Sequence, residues 1–155
     1  MSFRILGLPL ERFAPLFALD DEELQARRIR RFVAEDANSA PCRITLEDAQ
    51  PGERLLLLNY EHQPAPTPFR ATGPIFLREA ARTTFDAIGR TPEVFQKRTL
   101  SARAYDRAGM MIKGQVSPGA DIAGLLGDWF EDPSVDDIHL HYAARGCFAA
   151  RAVRG

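Results

Sequence analysis

Lysine is scarce in this chain. Of its 20 basic residues only Lys97 and Lys113 are lysine, and the rest are arginine. Cysteine is equally scarce: Cys42 and Cys147 stand far apart, which excludes a disulfide framework. No apolar run approaches the roughly 20 residues that span a bilayer, so no membrane partner is expected. The opening segment is broken by Pro9 and meets Glu11 and Arg12 at once. It lacks the long apolar centre and small-residue cleavage site of a signal peptide, which predicts a soluble cytoplasmic protein with both thiols reduced. The net charge of -1 supplies no basic field for a polyanion, and Tyr60, Tyr105 and Tyr142 are too scattered for a base-stacking surface, so no nucleic acid partner is expected. G-x-G-x-x-G, a phosphate loop ending in Lys-Ser or Lys-Thr, G-x-S-x-G, C-x-x-C and H-E-x-x-H are all absent.

What is present is an ordinary globular composition, 45% hydrophobic and 26% charged over 155 residues, which fits one domain over 1–155. Phe3 to Leu8 reads as a strand, and Phe13 to Leu19, around Pro15, as an irregular turn or short helix. Asp20 to Glu35 reads as a helix: Asp20 and Glu23 form a capping box, and Leu24, Ile29, Phe32 and Val33 make an apolar stripe. Arg27, Arg28, Arg30 and Arg31 then suit its dipole. Cys42 to Leu46 and Leu55 to Tyr60 read as a hairpin across the turn at Pro51-Gly52, and Gly73 to Leu77 as a strand. Leu77 to Gly89 fits a helix only in part, since Thr83 and Thr84 weaken it.

Leu100 to Tyr105 and Met110 to Val116 flank the turn Asp106-Arg107-Ala108-Gly109 and predict a hairpin. Ser117 and Pro118 suit the start of a helix, in which Ile122, Leu125, Leu126, Trp129 and Phe130 form one apolar face up to Pro133. Asp137 to Tyr142 and Cys147 to Val153 predict a last hairpin. The fold class expected is α+β, a mostly antiparallel or mixed β-sheet built from hairpins with two main α-helices packed on it.

Two of the three histidines form His139-Leu140-His141. Alternate residues of a strand face one side, so both imidazoles project together, roughly 6.5–7 Å apart at the backbone. Such a pair can chelate a transition metal, supply a general acid or base, or be held structurally by backbone and carboxylates. His62, at the end of Leu55 to Tyr60, is a candidate third imidazole, and Cys147 a nearby thiol. Three His with one Cys would suit zinc, although the spacing matches no zinc signature. Arg43, Arg70, Arg78, Arg103 and Arg151 lie in or beside strands, and two or three of them meeting the His pair would grip a carboxylate or phosphate. Their alternative partners are Glu79, Asp106 and Asp48.

Several segments together carry a family resemblance: Pro41-Cys42-Arg43, Asp48-Ala49-Gln50-Pro51-Gly52-Glu53, Gly73-Pro74-Ile75-Phe76, Arg103-Ala104-Tyr105-Asp106 with Gly109-Met110-Met111, and Ile138-His139-Leu140-His141 through Gly146-Cys147-Phe148-Ala149-Ala150-Arg151. From about Leu24 to Arg151 the chain resembles a bacterial family of similar length, domain-of-unknown-function family 1203. The resemblance implies a stand-alone cytoplasmic bacterial protein and assigns no catalytic residue. His139 and His141 also resemble two positions of the histidine-triad nucleotide hydrolases. That likeness would make His141 the nucleophile, but Ala143 stands where the third His belongs.

Three functions follow. The first is a small anionic ligand held by His139, His141, His62 and Cys147 with Arg43, Arg70 or Arg103, in which His139 or His141 would be the catalytic acid–base if any reaction occurs. The second is a non-enzymatic homodimer module using exposed Phe, Met110 and Met111. The third is a transition-metal-binding protein. No cofactor is named by the sequence.

Overall fold

The computed structural model describes the whole chain, Met1–Gly155. Its strands are β1 (Phe3–Leu6), β2 (Arg30–Val33), β3 (Arg54–Gln63), β4 (Ala71–Arg78), β5 (Asp86–Ile88), β6 (Thr99–Tyr105), β7 (Met111–Pro118), β8 (Asp137–Tyr142) and β9 (Phe148–Arg154). The α-helices are α1 (Leu10–Phe17), α2 (Asp21–Ala26) and α3 (Ile122–Trp129). Antiparallel pairing builds a six-stranded sheet, in the order β5-β1-β9-β8-β6-β7, and a three-stranded sheet, β2-β3-β4. The fold is sheet-dominated, with short helices of six to eight residues. No helix is long and apolar enough to cross a membrane.

The two C-terminal hairpins form where the alternation places them. Gly109 and Gly146 sit in their turns at φ of 84° and 80°, left-handed conformations that an L side chain resists. Along β8, Ile138, Leu140 and Tyr142 face one way, with Leu100, Ala102, Ala150 and Ala152 beside them in register. This face packs under α3, whose Ile122 and Leu126 are fully buried together with Phe130 just after it, and forms the larger core of 18 residues. Asp137, His139 and His141 point the other way, toward the three-stranded sheet. There Leu56, Leu58, Ile75 and Leu77 form a second core with Phe148. The strand β9 therefore has a covered residue on each side, Phe148 in one core and Ala149 in the other.

The helix expected over Asp20 to Glu35 stops after six residues. Its capping box is present, but Arg28 adopts φ of 60°, and Arg30–Val33 becomes β2, pairing with β3. Phe32 and Val33, assigned to the helical stripe, are 44% and 60% exposed. The edge of β3 pairs with this segment, and tertiary pairing overrides a short helical pattern. Cys42 to Leu46 is no hairpin partner of Leu55 to Tyr60. It is a tight turn, joined by single bridges between Pro41 and Asp48 and between Cys42 and Phe76, and β3 pairs with β2 and β4 instead. Leu77 to Gly89 holds the end of β4, an irregular turn and β5, with no helix. Phe13 to Leu19 belongs largely to α1, which tolerates Pro15. Ser117 and Pro118 end β7, so α3 starts at Ile122 after a short 3-10 turn.

A candidate metal centre between the two sheets

His139 and His141 reach the space between the sheets from β8. His62 meets them from the end of β3, at a register shift between Glu61 and Gln63, and like Tyr60 it packs on the Phe148 ring. Ring centroids of His62 and His141 lie 4.8 Å apart, edge-to-face, and those of His62 and His139 lie 6.1 Å apart. The Phe148 ring stacks on His62 at 5.5 Å and 7°, and Tyr105 closes over His139 at 4.7 Å. Exposure is 9% for His62, 3% for His139 and 0% for His141. The rings therefore do not line the open, solvent-filled cleft that an acid–base role would need. They line neither the cavity at Glu47 and Arg78 nor the one at Arg43 and Cys147.

Each ring keeps one buried nitrogen without a hydrogen-bond partner: Nδ1 of His62, Nδ1 of His139 and Nε2 of His141. Buried polar groups are ordinarily satisfied, and three such exceptions in one cluster are unusual. Each ring can offer one ligand nitrogen such that all three lie within 4.8 Å of one another. Tetrahedral ligands at zinc's ~2.0–2.1 Å bond length stand about 3.4 Å apart, so modest ring rotation separates this arrangement from a closed site.

Two of the rings are oriented from behind. His141 Nδ1 lies 2.9 Å from the carbonyl oxygen of Gly146, and as its donor leaves Nε2 as the free lone pair. His139 Nε2 lies 3.4 Å from Asp137 Oδ2, which also accepts from Arg151 Nε at 2.5 Å. Backbone carbonyls and carboxylates hold metal-bound imidazoles in this way. Burial drives the His62 and His141 pKa values down to about 4 and about 3, helped by neighbouring imidazoles and the Arg103 guanidinium. The Gly146 carbonyl opposes the shift in His141 only in part. Both rings are neutral near pH 7, the state that binds metal. Burial pushes the Asp137 carboxyl upward, but its contacts with His139 and Arg151 outweigh that and hold it below the usual range.

The other sequence candidates divide. Arg103 stands opposite His139 in the β6–β8 register, has Ser101 Oγ 3.4 Å from its Nε and no carboxylate partner, and puts positive charge beside the rings. Arg70 is ion-paired with Glu61 at the surface and bonds to none of the imidazoles. Arg43 and Cys147 line a separate cavity, so the cluster is three imidazoles without a thiol. None of the suggested carboxylates meets these arginines: Glu79 pairs with Arg31 and Arg54, Asp48 with Arg98, and Asp106 holds its own turn. Met110 is 39% exposed, beside the edge strand β7. Sequence reasoning missed Asp137, Phe148 and the Gly146 carbonyl. Asp137 was within reach, because in Asp137-Ile138-His139-Leu140-His141 strand alternation puts the carboxylate on the imidazole face.

No curated protein and no solved structure matches the chain. A family model described as "Protein of unknown function (DUF1203)" matches residues 39–154, which takes in all three histidines, Asp137 and Arg103, and the chain belongs to that family.

Proposed function

We propose that the protein binds a transition metal through His62, His139 and His141. The observation that carries this reading is the convergence of three buried imidazoles, each with a nitrogen that nothing in the protein satisfies. A purely structural cluster would leave three desolvated acceptors or donors unpaired, at about 1–3 kcal/mol each. A bound cation satisfies all three at once. Neutral imidazoles without thiolate or carboxylate suit zinc, copper, nickel or iron, and zinc fits a three-imidazole set with an open fourth position. The Arg103 charge favours a small anion or hydroxide at that position, which is where the anion-binding reading survives.

The test uses tag-free protein stripped of metal and titrated with Zn2+, and with Co2+ for its visible spectrum. The expected result is one equivalent per chain, a raised melting temperature and tetrahedral cobalt bands. His62→Phe keeps a ring on Phe148 and should fold while losing the bands. If wild type takes up no metal, or His62→Phe takes it up equally, the three rings are core packing.

A further inference from the structure

A second polar site lies on the other side of the β8–β9 turn, around Arg43. This side chain is only 2% exposed, yet no carboxylate reaches it. Its Nε donates to the Phe148 carbonyl at 2.7 Å and its Nη1 to that of Pro41 at 2.5 Å, while its Nη2 bonds to nothing in the protein. Its guanidinium carbon sits 4.9 Å from the centre of the Tyr142 ring, and that of Arg98 sits 5.3 Å from it. Tyr142 is 7% exposed, and its buried hydroxyl has no partner. Burial lowers the Arg43 pKa and raises that of Tyr142 to about 12, so the phenol stays a proton donor. A buried cation with only neutral partners and an orphaned hydroxyl beside it are both arrangements that folded proteins ordinarily avoid.

Both groups line a cavity of about 700 Å³, within the usual range for small-molecule sites. Lys97, Arg98 and Arg145 complete its charge, and no Asp or Glu lines it. Arg98 is already held by Asp48 at 2.7 and 3.0 Å, whereas Lys97 and Arg145 are exposed and unpaired. Leu57 and Phe76 add apolar lining. The neighbouring cavity of about 630 Å³ differs, since its Glu47 and Arg78 neutralise one another.

We infer that this cavity binds a small organic anion. Its carboxylate or phosphate group would accept from Arg43 and the Tyr142 hydroxyl, with Lys97 and Arg145 at the mouth and an apolar body against Phe76. This site is independent of the metal reading.

Phenyl phosphate, benzoate and inorganic phosphate serve as probes, followed by calorimetry and by the rate at which neutral iodoacetamide alkylates Cys147. That thiol is half-buried in the same cavity, while Cys42 is buried. At least one of the two aryl anions should bind more tightly than inorganic phosphate, and their order tells phosphate from carboxylate recognition. Binding should slow Cys147 alkylation and weaken at high salt. Tyr142→Phe removes only an unpaired hydroxyl, so the free protein should be at least as stable while affinity falls about tenfold, the scale of one hydrogen bond to a charged group. Arg145→Gln should weaken binding as well. His62→Phe should bind these anions as wild type does, which separates the outcome from that of the metal site. The inference is overturned if neither aryl anion binds, or if binding leaves Cys147 alkylation and both cavity variants unaffected.

Discussion

At the residue scale, the paired imidazoles could be named from the sequence because a strand repeats every two residues. His139 and His141 had to share a face, whereas His62 was named only from its place at the end of a strand, and a register shift between Glu61 and Gln63 breaks the period there. Alternation says nothing about what lies across a sheet interface, so the stacked Phe148 ring and the unpaired nitrogens were not legible. Asp137 is the residue whose role is now sharpest. It touches His139 and is itself braced by Arg151. Asp137→Asn removes the charge that favours a protonated Nε2 and frees Nδ1 for a metal. We expect metal affinity to fall 10–100-fold, as for other groups that orient a liganding imidazole. Arg151→Gln, which touches no ring, should cost less. Competition against a chromophoric chelator measures both, and an Asp137→Asn affinity equal to that of wild type would exclude this orienting role.

At the element scale, the β8–β9 hairpin connects sequence to site most directly. The Gly146 amide bonds to the Tyr142 carbonyl at 2.7 Å, and its own carbonyl orients His141. Gly146→Ala places a side chain at φ of 80°, a strain of about 1–2 kcal/mol. The urea midpoint should fall accordingly, and the Co2+ spectrum should weaken as the carbonyl shifts. Lost stability with an unchanged spectrum would show that the turn and the ring are uncoupled. The hairpins at Gly109 and Gly146 could be read in advance because a short turn and alternating residues act locally. The stretch Asp20 to Glu35 could not. Its capping box and acidic first turn start a helix as expected, but the edge of β3 takes Arg30–Val33 into a sheet. Strand pairing of this kind depends on residues more than twenty positions away.

At the scale of the whole molecule, burying imidazoles between two sheets makes stability depend on pH. An unfolded imidazole titrates near pH ~6.5, whereas folded His62 and His141 titrate at about 4 and about 3. Between those values the unfolded chain binds protons that the folded chain refuses. Their stabilising contribution is therefore complete above the unfolded value and is lost as pH falls toward the folded ones. Metal-free protein should show a lower urea midpoint at pH 5 than at pH 7, and His62→Phe should show a smaller drop. Equal drops would mean that His62 does not carry the effect. By itself the sequence determined the alternation of its strands, the turns at Gly109 and Gly146, the apolar face of α3 and the shared side of His139 and His141, because each depends on backbone geometry over a few residues. Only the tertiary structure decided that β3 brings His62 to that pair and that Arg43 and Cys147 lie in a different cavity. Stacking one sheet on another is settled by long-range burial and strand pairing, which no local period encodes.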